Sequence, residues 1–338
     1  MSTKNIVPRA DGEGSLGTTA KRWGDVQTKK LTSQGAVNAG SITTEGTVTA
    51  GNITTEGAVN AGSITTEGTV TAGNVSADEM TIDGKTVIAS DTETTAYQRN
   101  GIYRGKNLGT ITSANIASFL SEHEVSTGKF TGLYVGDEIT IQDGEYNAVW
   151  LIAGFDTEYN KGDTAFTTHH ITLIPKTPLY DDQMNSSNVT TGSYKGSAMH
   201  TTKLPALATK LKTALGTHLL KHRAILGNAV NTEAAAAGAS TWKGMTSGWE
   251  WTDVECVLPT EVQVYGATIW SSSGWDTGEA EQKLPVFNFI NPVQFSRWSF
   301  WLRGVASGTG FCDCGGDGSA DASYASNSNG VRPLICVG

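Results

Sequence analysis

Several groups of side chains in this sequence have types and spacings that could support chemistry. Asp313, Asp317 and Asp321 recur every four residues in a stretch of small residues, and carboxylates set at intervals along a loop can hold calcium. The stretch lacks the DxDxDG pattern and closing Glu of an EF-hand, so no required metal is expected. His218 and His222 stand four apart in a leucine-rich run and could share a helical face. The text is HLLKH, without the glutamate of HExxH, so zinc hydrolysis is unsupported. His169 and His170 precede a strand-like run, where neighbouring residues point to opposite faces and do not chelate together. Cys256, Cys312, Cys314 and Cys336 do not form paired CxxC knuckles. Cys312 and Cys314 are too close in sequence to bridge each other. Cys256 and Cys336 lie in apolar runs and read as buried thiols. Two carboxylates about 5–10 Å apart can cleave a glycosidic bond, but the sequence singles out no such pair. It holds no GxSxG elbow and no Walker loop. The expectation is a binding protein with no catalytic residue and no cofactor.

Aromatic rings offer contact area of a different kind, because they stack on sugars and apolar patches at low entropic cost. Trp242, Trp249, Trp251, Trp270 and Trp275 lie in glycine- and serine-rich text. At least three are expected to be buried, with Trp270 or Trp275 the ring left to solvent.

These groups need a folded body to position them. Of the nine Trp residues in this 338-residue chain, eight fall from Trp150 onward, so the core belongs to the C-terminal part. From about Gly101 the chain reads as globular. EITIQ and YNAVWLIAGF (within 128–155) and HITLIP (170–175) read as strands. Leu207, Leu211, Leu215, Leu219 and Leu220 have helical spacing, predicting a helix over 204–228 that ends near Gly227. Trp298, Phe300 and Leu302 alternate with Ser299, Trp301 and Arg303, as in a strand with one buried face. Leu334 to Val337 reads as the last strand. Between these two strands, Gly304 to Asn329 is small and polar and reads as a displayed loop with little able to build a core. The mixture is α+β. A net charge of −9 without a basic stripe argues against nucleic acid as a partner and gives no reason for adsorption to an anionic membrane.

The N-terminal part is organised differently. From Thr32 an eleven-residue unit recurs four times, as in TTEGTVTAGNI. Val37, Ile42, Val48, Ile53, Val59, Ile64, Val70 and Val75 mark its apolar positions. Gly, Thr, Asn and β-branched residues suit short strands and tight turns rather than helix. One chain with so few inward residues buries too little: each Val or Ile is worth roughly 1.5–3 kcal/mol, against roughly 1–2 kcal/mol of backbone entropy per ordered residue. Three parallel chains around one axis would stack these residues in layers, so a trimeric β-rich shaft over 32–88 is expected. A flexible Gly/Thr linker is the alternative. Asp83-Gly84 reads as a hairpin turn closing the shaft, and 89–127 as a neck.

Two resemblances sharpen this outline. Pro8 to Gly24, PRADGEGSLGTTAKRWG, resembles a short element near the start of phage tail fibres. That resemblance implies a particle-proximal attachment segment over 1–31 and a tail or baseplate protein as partner. Residues 128–338, through LYVGDEITIQDGEYNAVWLIAGFD, WSFWLRGVASGTGF and NGVRPLICVG, look like the C-type-lectin-like head, similar to formylglycine-generating enzymes, found at fibre tips. They also resemble variable proteins diversified by retroelements. The resemblance implies a fixed scaffold around Trp301, Arg303, Gly330, Arg332 and Pro333, with the residues between displayed. The chain is then expected to be a virion tail-fibre protein, made in the host cytoplasm and without membrane insertion. It would form a homotrimer that binds a host surface receptor, glycan or protein. Met1 to Arg9 carry no hydrophobic signal core, which fits release by lysis. A glycan-degrading tailspike and a purely structural baseplate or fibre component are the alternatives. The cysteine chemistry of the formylglycine-generating enzymes is not expected, because the CxC spacing departs from their pattern.

The receptor site is expected in the terminal stretch, at Phe311, Cys312, Asp313, Cys314, Asp317, Ser319, Asp321, Tyr324 and Asn327, with the loop that carries Trp270 and Trp275 as the next candidate. Gly304 to Val331 contains no Lys, Glu, Gln, Trp or Met. Those residues cannot arise when an AAC codon is randomised only at its adenines. A small-residue loop lacking them by chance has the same composition. Phe311 and Tyr324 are both expected to be exposed.

Overall fold

The computed structural model describes residues 79–82, 85–89, 96–231, 244–272 and 282–338. Segment 1–31, the repeats over 32–78, the Asp83-Gly84 pair, Trp242 and Trp275 lie outside the described residues. Strands β1 (Glu79–Ile82) and β2 (Lys85–Ala89) pair antiparallel, with Ile82 opposite Lys85.

The described body is α+β, with several sheets and few helices. Its six-stranded sheet has the order β3-β4-β5-β6-β15-β8. The strands are β3 (Asn107–Ile111), β4 (Glu138–Ile141), β5 (Ala148–Phe155), β6 (Ile171–Pro175), β8 (Leu219–Leu220) and β15 (Ile335–Val337). The near-continuous apolar text of β5 and β6 is that of central strands covered on both faces. Leu151, Ile152, Leu173 and Ile174 are fully buried there. In β4 the alternation survives, and only Ile139 and Ile141 point inward.

A five-stranded sheet has the order β13-β12-β11-β14-β7. It contains β7 (Tyr180–Asp182), β11 (Phe300–Val305), β12 (Gly310–Cys314), β13 (Ala320–Tyr324) and β14 (Asn329–Val331). Two of the four passages of the chain between these sheets run from β6 to β7 and from β14 to β15. Arg332 ties these crossings together. Its buried guanidinium donates to the carbonyls of Pro175 (2.6 Å), Lys176 (3.3 Å) and Pro292 (2.6 Å), and lies over the rings of Phe287 and Phe300. A buried cation requires such saturation by acceptors. Gly330 is a close approach: a Cβ there would stand 2.6 Å from the Ser299 carbonyl oxygen and 2.7 Å from Pro178. Trp301, Arg303 and Pro333 are buried as well.

Three sequence expectations are corrected. The helix over 204–228 stops early: α3 spans Leu204–Leu215, and Gly216, at φ 56°, ends it. The following text forms β8 and then β9 (His222–Val230), which pairs along its length with β10 (Thr246–Val254). Leucine spacing continues past the helix only because β8 also places a leucine in the core. His218 and His222 therefore do not share a helical face; His218 donates from Nδ1 to the Gly338 carbonyl at 2.9 Å. Secondly, the head does not begin at residue 128. Ile111, Ile116, Leu120 and Val125 are core residues, Arg99 donates to the carbonyls of Lys129 and Leu133, and Asn100 exchanges two hydrogen bonds with the Phe155 backbone. Residues 96–127, which include α1 (Ala96–Arg99) and α2 (Ile116–Glu122), belong to the body rather than to a neck. Thirdly, β11 has no solvent face, because every residue from Phe300 to Val305 is buried, while Trp298 before it is 40% exposed. Among the described residues no helix is long and apolar enough to cross a membrane.

Candidate functional site

The expected terminal loop is a β-hairpin. All five residues of β12 pair with β13, from Gly310 opposite Tyr324 to Cys314 opposite Ala320. Gly318, at φ 89°, shapes the connecting turn. There the Asp317 carboxylate accepts from the Ser319 hydroxyl (2.6 Å) and amide (2.9 Å), bonds that hold its pKa below the usual carboxylate value.

The strands of this hairpin differ in exposure. Phe311, Cys312, Asp313 and Cys314 are buried, which corrects the expectation that they are displayed. β12 is an interior strand with cover on both faces. On the cysteine side lie α4 (Glu261–Tyr265) and the segment after it: Tyr265 donates to the Ser319 carbonyl at 2.9 Å, and Ser271 and Cys312 both approach Gly304. On the other side runs the segment 182–190. The Trp301 indole donates to the Asp182 carbonyl at 2.7 Å, Gln183 donates to the Ser326 carbonyl, and Thr190 to that of Ser307. Asp317, Ser319, Asp321, Tyr324 and Asn327 are exposed, Tyr324 by 47%.

Trp270 is not a free ring either. Buried Glu261 accepts from the amides of Ile269, Trp270 and Ser271 and from the Ser271 hydroxyl, which fixes the loop that carries it. Its half-buried indole donates to the Ala320 carbonyl at 3.1 Å. That bond, and the Ala322 amide satisfied by the Asp321 carboxylate at 2.8 Å, occupy backbone groups along β13, which is an edge strand among the described residues. Trp249 and Trp251 are also half-buried, so the expectation of at least three buried rings among the five tryptophans fails.

Asp313 is the chemically unusual member. It is 2% exposed; Oδ2 accepts from Ser323 Oγ at 2.8 Å and Asn329 Nδ2 at 2.6 Å, while buried Oδ1 has no hydrogen-bond partner among the described residues. Burial pushes its pKa up to about 6, helped by Asp321 across the hairpin. Asp313, Asp317 and Asp321 thus have separate surroundings. Among the described residues no group of three or more His, Cys, Asp or Glu side chains is placed to hold a metal ion. All four cysteines are buried, and burial raises the pKa of Cys256, Cys314 and Cys336; Cys314 is pushed to about 11. Such thiols stay protonated and are poor nucleophiles. His170 is a core residue: Nδ1 donates to Thr168, Nε2 accepts from the Glu158 amide, and burial lowers its pKa to about 4. His169 bonds Asp156 at 2.7 Å and stacks on Tyr159.

The structure adds residues to the candidate surface. Asn188 accepts from the Ser326 amide and hydroxyl, and Asn185 donates its amide to the Ala325 carbonyl. Exposed Asn188, with Val189 (46% exposed) next to it in sequence, is thereby held at Ser326, which lies between Tyr324 and Asn327 in the chain and more than a hundred residues away. The only available signal was the turn-forming text NSSNVTTG, which marks a loop without saying what it faces. No family model, curated protein or solved structure matches this chain.

Proposed function

We propose that the chain is a receptor-binding tail-fibre protein: an adhesin without catalysis, whose C-type-lectin-like head stands on a trimeric repeat shaft. The observation that carries this reading is the terminal hairpin. Its supporting strand and flanking motif residues are buried, while its outer strand and turn, with Tyr324, Asp321 and Asn327, face solvent. Rigid support beneath a mixed aromatic, amide and carboxylate surface suits recognition. Buried protonated thiols remove the main nucleophiles a cysteine enzyme would need. In this reading segment 1–31 attaches to a tail or baseplate protein, and the receptor is a host surface glycan or protein.

Light scattering on the full chain should give about three times 35.6 kDa. A monomer at micromolar concentration would sink the shaft. Val48→Asp with Ile53→Asp should dissociate the trimer, because like charges would meet near one axis. New reducing ends released from host polysaccharide would instead favour the tailspike.

A further inference from the structure

We propose a second ligand site, separate from the terminal hairpin: the pocket between the end of β5 and the segment 282–285 takes one neutral sugar ring, a pyranose. The pocket measures about 260 Å3, below the roughly 300–1,000 Å3 of sites for drug-sized ligands, so it suits a single ring. Three stretches meet there: α1 with the residue after it (Ala96 and Asn100), the loop that leaves β5 (156–161), and 282–285. The lining holds two lysines, Lys161 and Lys283, and two carboxylates, Asp156 and Glu158. It therefore carries no net charge and selects neither an anion nor a cation.

Much of the lining is already committed. Asn100 exchanges both its amide atoms with the Phe155 backbone. The Asp156 carboxylate accepts from His169 Nδ1 at 2.7 Å and from the His170 amide at 2.9 Å, and the Thr157 and Thr172 hydroxyls bond at 2.6 Å. These bonds fix the loop and leave two groups open. Glu158 has 7% of its side chain exposed; Oε1 accepts from the Thr157 hydroxyl at 3.2 Å, while Oε2, which is not sealed from solvent, has no hydrogen bond among the described residues. The Lys161 ammonium stands 3.6 Å from Oε2, too far for a hydrogen bond. A carboxylate oxygen lacking a donor thus lies beside an ammonium lacking an acceptor. A ligand hydroxyl joins them, donating to Oε2 and accepting from Nζ, and both bonds are charge-assisted. Exposed Gln282 adds an amide that donates and accepts. Tyr159 supplies ring contact: His169 stacks on one of its faces, with centroids 4.5 Å apart and planes 6° from parallel, and the rest of the half-buried ring lines the pocket. A pyranose meets this combination, because it carries C–H groups on its face and hydroxyls around its rim.

The test is titration calorimetry on the full chain with D-glucose, D-galactose and D-mannose as probes. At least one is expected to bind with a dissociation constant on the order of 1 mM. Tetrahydropyran, the same ring without hydroxyls, and inorganic phosphate should bind at least about tenfold more weakly, since each lacks what the Glu158–Lys161 pair or the neutral lining requires. Equal binding of the methyl glycoside of that hexose would identify the end of a glycan as the natural source, and its loss a free sugar. Lys161→Ala and Glu158→Ala should each weaken hexose binding about tenfold. Tyr324→Ala, on the hairpin, and Lys210→Gln, outside the pocket, should leave it unchanged. If Glu158→Ala melts early, the variant at half-buried Lys161 still decides. No binding of any of these hexoses at about 50 mM, equal binding of tetrahydropyran or phosphate, or full affinity in Lys161→Ala would overturn the proposal. Loss of host adsorption in Tyr324→Ala, with no hexose bound by the parent, would overturn the pocket and leave the hairpin reading standing.

Discussion

Strands β12 and β13 are neighbours in one hairpin, drawn from the same small-residue text, yet they do opposite things. GFCDC is buried at all five positions, whereas ADASY is half-exposed to exposed throughout. The difference does not follow from composition: the buried strand carries an aspartate and the exposed one a tyrosine. It follows from position, because β12 has a strand on each side and cover on both faces, while β13 is the sheet edge. Recognition can reside on β13 because β12 holds it in place.

That contrast can be broken most forcefully at Phe311. Phe311→Ala should cost about 3–5 kcal/mol of unfolding free energy by urea titration, since it empties a fully buried ring site. A loss below about 1 kcal/mol would mean the ring is exposed after all. Adsorption by this variant would then report folding rather than contact.

Asp313 should give the next largest effect, and one that depends on pH. Its folded pKa of about 6 lies above that of a free carboxyl, so the folded state holds the proton more tightly. The group therefore favours folding below pH about 4, and that contribution is lost as pH rises through about 6, by up to about 3 kcal/mol. Asp313→Asn should remove this slope. Urea midpoints of parent and variant at pH 4.5 and 7.5 would check it, and parallel profiles would place Asp313 in solvent.

Trp270→Phe, which loses the bond to the Ala320 carbonyl, should cost about 1 kcal/mol. Freed edge groups should also raise self-association at high concentration, visible by light scattering. At Tyr324 the stability effect should be smallest, within about 0.5 kcal/mol for Tyr324→Ala, yet host adsorption should fall sharply. Undiminished adsorption would move the receptor site away from the hairpin.

Much of the fold was legible where local pattern and burial agree. The strands at 138–141, 148–155, 171–175 and 335–337 lie where their apolar runs predict, and Cys256 and Cys336 are buried as their surroundings suggest. The candidate site was legible only in part. Asp317, Ser319, Asp321, Tyr324 and Asn327 are exposed as expected, but Phe311, Cys312, Asp313 and Cys314 are not. Asn188 was invisible, because its place at Ser326 depends on hydrogen bonds made far along the chain.

The sequence by itself determined the eleven-residue repeat, the identity of the central strands and the small, polar character of the terminal stretch. These are properties of periodicity and composition, which act over a few residues. Only the tertiary structure decided that the terminal stretch is a hairpin, that Trp270 covers an edge, and that Arg332 pins two crossings between sheets. Each depends on a partner supplied by a distant segment. Burial of a mixed strand such as GFCDC is set by what packs against it, not by what it contains.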